Sequence, residues 1–186
     1  IIVLAAGKST RLGTPKQKVV YQGESLLTRS VRQALALTPH VYVILGHDAN
    51  SCAEEIDSLP ATKLFHTHYE QGIGSSIAFG IAHTEMFSHT LIMLCDQPFI
   101  PLAHYQQLLL HVKEHATTMV ASQYENVSML SVPAIFSSEH YGALKELSGD
   151  KGAKALLNAK PCDSVLLQKE YTIDIDTQED INRYLL

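Results

Sequence analysis

Five charged residues stand where chemistry on a polyphosphate would need them: Arg11, Lys16, Asp96, Asp174 and Asp176. Arg11 and Lys16 fall in the loop-like stretch Ala5-Ala6-Gly7-Lys8-Ser9-Thr10-Arg11-Leu12-Gly13-Thr14-Pro15-Lys16-Gln17, which follows the apolar run Ile1–Leu4. A guanidinium offers a planar fork of donors and an ammonium a compact point charge, and both suit phosphate oxygens. Gly7 and Gly13 carry no Cβ, so the backbone can approach a ligand closely. Successive exposed N–H groups in such a loop form a concavity for anionic oxygens. The three aspartates supply the opposite chemistry. Mg²⁺ is commonly held by one or two carboxylates together with substrate phosphates and water.

Two other phosphate-binding patterns are excluded. Gly7-Lys8-Ser9-Thr10 looks like the end of a Walker A loop, but that motif needs a glycine five residues before Gly7, where Ile2 stands. Gly7 and Gly13 are also spaced wrongly for the dinucleotide fingerprint.

The elements that must position these residues alternate between strand-like and helix-like runs, which predicts an α/β layered fold with a mostly parallel sheet. Strands are expected at 1–4, 41–45, 63–66, 90–95, 117–122, 131–136 and 171–176. Helices are expected at 25–37, 48–59, 77–87, 101–115, 139–147 and 153–158, with a closing helix to Leu185. Leu102, Tyr105, Leu108, Leu109 and Val112 form the expected inner side of the helix over 101–115. Asp96 ends a continuous apolar strand, where open α/β sheets bind ligands, although an aspartate before Pro98 also suits a turn. Gly74-Ser75-Ser76 opens a helix, so it fits either an anion at a helix start or an ordinary serine cap. Asp150 reads first as a helix cap, with Lys151 able to reach an anionic substrate. Thr177 and Asp180 have the spacing of a capping box. Asp174 and Asp176 alternate on a strand and share one face, where they repel unless a cation or solvent intervenes.

Leu4-Ala5-Ala6-Gly7-x-Ser9-x-Arg11-x-Gly13-x-Pro15-Lys16-Gln17 resembles the signature loop of the MobA-like nucleotidyltransferases, and within them the molybdenum cofactor cytidylyltransferases. Gly72-x-Gly74-Ser75-Ser76, Cys95-Asp96-Gln97-Pro98, Gly149-Asp150-x-Gly152-Ala153 and Asp174-Ile175-Asp176-Thr177 resemble further elements of that family. The resemblance implies a three-layer α/β/α Rossmann-like nucleotidyltransferase fold with a mostly parallel mixed sheet. It implies nucleotide binding by Leu4, Ala5, Ala6, Gly7, Ser9, Arg11, Lys16, Gly74, Ser75, Ser76 and Asp96, with Arg11, Lys16 and Asp96 catalytic. Mg²⁺ falls to Asp96 with Asp174 or Asp176, Asp174 being preferred for its depth in the strand. The nucleotide is expected to be CTP, because the GTP-using branch shows Leu-Ala-Gly-Gly where this chain has Leu4-Ala5-Ala6-Gly7. The acceptor implied is a molybdopterin cofactor, and a molybdoenzyme is an implied partner. Val132-Pro133-Ala134-Ile135-Phe136 resembles the element that faces this second substrate, but Ser131 stands where the family commonly has glycine.

Composition narrows the alternatives. With 186 residues the chain suits one nucleotidyltransferase domain over 1–186. Net charge of -5 argues against a nucleic-acid surface. Cys52, Cys95 and Cys162 are odd in number and far apart, which favours neither a disulfide framework nor a zinc site and suits a reducing cytoplasm. No apolar run reaches the roughly 18 residues of a membrane span, and no signal peptide is expected. His111 and His115 are four apart, but no glutamate completes an HExxH arrangement.

The expected reaction is Mg²⁺-dependent nucleotidyl transfer to a phosphate-bearing acceptor with release of pyrophosphate. The other readings are a GTP-using guanylyltransferase, a sugar-phosphate nucleotidyltransferase, and a nucleotide-binding regulator without turnover.

Overall fold

The computed structural model describes residues 1–186. Nine strands form: β1 (Ile2–Ala5), β2 (Val20–Tyr21), β3 (Glu24–Ser25), β4 (Tyr42–Leu45), β5 (Thr62–Phe65), β6 (His89–Leu94), β7 (Met119–Tyr124), β8 (Leu130–Ser137) and β9 (Asp163–Leu167). Seven α-helices accompany them: α1 (Leu26–Leu35), α2 (Ala49–Glu54), α3 (Ile73–Ala82), α4 (Leu102–His115), α5 (Tyr141–Lys145), α6 (Lys154–Ala159) and α7 (Gln178–Tyr184). The main sheet has seven strands in the order β5-β4-β1-β6-β8-β7-β9, and β8 alone runs against its neighbours.

Alternation along β1 explains the layers. Val3 and Ala5 point to one face and pack with α1, α2 and α4 through Leu27, Val31, Cys52, Tyr105 and Leu108. Ile2 and Leu4 point to the other and pack with α3, α5 and α6 through Ile77, Ile81, Leu144 and Leu157. With both faces covered, the central strands are apolar throughout, as parallel strands in such sheets are. β1 pairs in parallel with β4 on one side and β6 on the other, with Ala5 opposite Leu45 and Leu4 opposite Leu94. The loop after β1 and the residues after β6 therefore leave the sheet side by side, at the carboxyl edge where such sheets place ligands.

The structure corrects several expectations. Residues 172–176 are not a strand; the outer sheet position is taken by β9, paired in parallel with β7. Helix α3 starts at Ile73 rather than Ile77, because Gly72 at φ 93° turns the chain and serves as its N-cap. Ser75 and Ser76 lie inside the first turn and cap nothing. Asp150 caps nothing either, since α6 begins at Lys154 behind Ala153. Leu109 faces solvent, while His104 takes an inner place on α4 and hydrogen-bonds Ser122 at 2.8 Å. The hairpin β2–β3 has no counterpart among the expected strands; Gln22 and Gly23 turn it with φ of 53° and 84°. The Thr177–Asp180 capping box forms as read. No helix is long and apolar enough to cross a membrane.

Phe136 is fully buried in β8, opposite Thr90 and Met119. Phe136→Ala is expected to lower unfolding free energy by about 3–5 kcal/mol, read as a fall in the urea midpoint.

Candidate active site

The loop after β1 is shaped from within. Ser9 adopts φ 53° and its carbonyl accepts from the amides of Leu12 and Gly13, while its hydroxyl accepts from the Lys16 amide at 3.0 Å. Ser9 thus forms the turn. The backbone N–H groups of Gly7 through Arg11 have no intrachain acceptor, which leaves a row of donors for a ligand. Gln17 fastens the loop to the sheet. Its fully buried carboxamide donates to the carbonyls of Ala5 at 2.7 Å and Gly7 at 3.0 Å.

Lys16 turns inward and its ammonium binds Asp96 and, at 3.0 Å, Asp176. Burial works against the charge on Lys16, but Asp96 and Asp176 outweigh it and hold the ammonium above its ordinary value. Arg11 binds the other oxygen of Asp176 at 2.8 Å from an exposed position. Segment 172–176 is held across the sheet edge by a bond from the Ile175 amide to the Asp96 carbonyl, 2.9 Å long. Ile175 is fully buried, so the aspartates on either side are turned the other way. Asp180 completes the hold by accepting from the amides of Asp176 and Thr177 at 3.1 and 2.8 Å.

Asp174 takes a different partner, accepting from Gln97 at 2.9 Å. Although part of its surface remains open, the protein packed around it and the Asp96 charge push its carboxyl up to about 6. The Gln97 amide also donates to the Tyr124 hydroxyl at 2.9 Å, which in turn donates to the Val132 carbonyl at 2.8 Å. Cys95 is wholly buried, and burial with the Asp96 charge pushes its thiol up, so it is no ready nucleophile.

These residues border a cavity of about 530 Å³. Of the residues singled out from the sequence, Leu4, Ala5, Ala6, Gly7, Lys16, Ser76 and Asp96 line it. Ser9, Arg11, Gly74 and Ser75 do not line it. The Gly74 amide donates to the Gly149 carbonyl at 2.9 Å, and the Ser75 hydroxyl meets His66 at 3.1 Å. Asp176 joins Lys16 and Arg11, whereas Asp174 faces Gln97. Gln17 and, on the cavity wall, Lys8, Tyr69, Glu70 and Ile73 carry no site role in the sequence reading. Lys8 and Glu70 form an ion pair of 2.5 Å there. No group of three or more His, Cys, Asp or Glu side chains converges as metal ligands, and Lys16 lies between Asp96 and Asp176.

Residues 1–169 match the MobA-like NTP transferase domain. The chain belongs to that family. It is therefore a nucleotidyltransferase by family. The purine catabolism protein PucB of Bacillus subtilis is 28% identical, covering 96% of this chain and 92% of that protein. A probable molybdenum cofactor guanylyltransferase of Flavobacterium johnsoniae is 25% identical over 70% of this chain and 65% of that protein. The crystal structure of Rv0371c from Mycobacterium tuberculosis superposes with a TM-score of 0.88 at 27% identity, covering 99% of this chain and 95% of that one. The chain spans about a quarter of the length of the bifunctional GlmU proteins it also matches.

Gln17→Leu leaves the Ala5 and Gly7 carbonyls without this donor and should cost on the order of 1–3 kcal/mol, measured by urea unfolding. A pH titration tests Asp174. Its carboxyl rises from 3.8 unfolded to about 6 folded, so the folded state holds the proton more tightly and stability falls as pH rises through that window. Asp174→Asn removes this loss. The variant is expected to melt above wild type at neutral pH, with the gap closing as pH drops below about 4.

Proposed function

We propose that this protein transfers CMP from CTP to the phosphate of a molybdopterin-type acceptor and releases pyrophosphate. The observation that carries this reading is the Lys16 ammonium held between Asp96 and Asp176 beside a row of unpaired loop amides. A triphosphate needs such a set of donors and cations, and nothing in the arrangement suits an uncharged substrate.

In the proposed reaction an acceptor phosphate oxygen attacks the α-phosphorus of CTP. The new P–O bond forms as the bond to the β-phosphate oxygen breaks, and pyrophosphate carries away the electron pair. The acceptor phosphate is already ionised, so no side chain has to remove a proton. The loop amides and Arg11 bind the phosphates, and Lys16 neutralises charge on the departing pyrophosphate. Ala6 lines the cavity at the position where the GTP-using branch carries glycine, which supports CTP.

The acids fit a divalent ion such as Mg²⁺. Asp96 Oδ1 is buried without any partner, and its other oxygen already shares a cation with Asp176. Asp96 and Asp176 are the pair we assign to the metal, with Asp174 next to them and not, as its sequence position suggests, ahead of Asp176. The ion would polarise phosphate oxygens when bound. A molybdenum cofactor guanylyltransferase among the relatives supports a molybdopterin-type acceptor, and delivery to a molybdoenzyme partner follows from that choice.

Pyrophosphate release with CTP, GTP, ATP and UTP in turn, with molybdopterin and Mg²⁺, tests the reading. CTP is expected to dominate; preference for GTP sinks the nucleotide assignment, and preference for ATP or UTP sinks the acceptor class with it. Asp96→Ala is expected to lower the rate by at least about 100-fold.

A further inference from the structure

The cavity carries five charged side chains, and four of them are paired: Lys8 with Glu70, and Lys16 with Asp96. The fifth is Asp150, which is exposed and engages no other side chain, so only solvent or a ligand meets its carboxylate. It reaches the cavity because the turn that carries it is docked on the start of α3. The Gly74 amide donates to the Gly149 carbonyl at 2.9 Å, and a Cβ on Gly74 would lie 2.7 Å from the Ser148 nitrogen. A Cβ on Gly72 would strike the Gly149 carbonyl. Two glycines in α3's first turn therefore exist in contact with this turn, and they fix where Asp150 stands.

An unpaired carboxylate repels phosphates, so it cannot serve the end of the cavity that Lys16 and the loop amides occupy. The turn that carries it packs on Gly72 and Gly74, and Ile73 and Ser76 from the same start of α3 also line the cavity. Ile73 is 36% exposed and offers an apolar surface there. A flat ring against Ile73 with an N–H or O–H donor toward Asp150 satisfies both groups; a phosphate satisfies neither. We propose that Asp150 is a specificity-determining residue that accepts a hydrogen bond from the nucleoside part of the substrate, from an exocyclic amine or a ribose hydroxyl. The proposal rests on the nucleotidyltransferase reading above and adds to it the residue that reads the nucleoside.

Titration calorimetry on wild type, Asp150→Ala and Asp150→Asn separates recognition from bulk charge. The ligands are CTP, UTP, 2′-deoxy-CTP and inorganic tripolyphosphate, which has neither base nor sugar. Recognition predicts that Asp150→Ala weakens CTP at least about tenfold while tripolyphosphate binds as well as before or more tightly. Asp150→Asn, which keeps an acceptor oxygen, should recover part of the loss. If the amine is the donor, the alanine variant no longer separates CTP from UTP; if the hydroxyl is, it no longer separates CTP from 2′-deoxy-CTP. CTP and tripolyphosphate tightening together in Asp150→Ala, or CTP affinity unchanged, overturns the proposal and leaves the enzymatic reading standing. Wild type that binds none of the nucleotides overturns both.

Discussion

The structure turns on one buried ammonium. Lys16 would be costly to place where it sits without compensating charge, and so would the carboxylates it meets. Together they are stable, provided three separate parts of the chain stay in register. The loop after β1 brings Lys16, the end of β6 brings Asp96, and segment 172–176 brings Asp176. Each part has its own fastening. Gln17 holds the loop to β1, the parallel pairing of β1 with β6 sets Asp96 beside it, and the Ile175 amide with the Asp180 carboxylate holds the last segment. Neutralising Asp96 alone would leave Lys16 with one carboxylate, which is why a substitution there disturbs more than one ligand position.

A second chain of contacts runs away from this cluster. Asp174, Gln97, Tyr124 and the Val132 carbonyl are linked in sequence by hydrogen bonds of 2.9, 2.9 and 2.8 Å. Val132 and Pro133 lie where the register between β7 and β8 shifts, with Ala134 opposite Ala121 and Ser131 opposite Ser122. Proline has no amide to give the ladder, and side chains meet the carbonyls here: Ser122 donates to that of Pro133 and Tyr124 to that of Val132, each at 2.8 Å. Ser131, the residue that replaces the family's usual glycine, sits within this irregular stretch and pairs with Ser122. The acids and the β7–β8 irregularity thus belong to one connected polar layer.

Much of this was readable from the residues because β1, β4 and β6 are continuous apolar runs, and such runs announce strands buried on both faces. Lys16 and Asp96 follow from where those runs stop. Segment 172–176 misled because Ile-Asp-Ile-Asp alternates as a strand does, yet alternation reports only which side chains are buried, and a single bond to Asp96 satisfies that as well as a ladder would. The same two-residue period could not rank Asp174 against Asp176; that choice depends on which of Gln97 and Lys16 each one meets. Gln17 and Asp150 were hidden for another reason. Their placement comes from backbone contacts across long sequence separations, Gln17 with Ala5 and Gly7 through its side chain and Asp150 through Gly72 and Gly74.

The ion pair between Arg11 and Asp176 joins residues 165 positions apart. On the ribosome, the amino-terminal loop emerges early and waits, its cations without their carboxylate, while nearly all of the intervening chain is made. Closure of so long a loop is slow relative to local helix formation. The cluster of Arg11, Lys16 and Asp176 is consequently among the last features to mature, and a nascent chain arrested before residue 176 would leave both cations without that carboxylate.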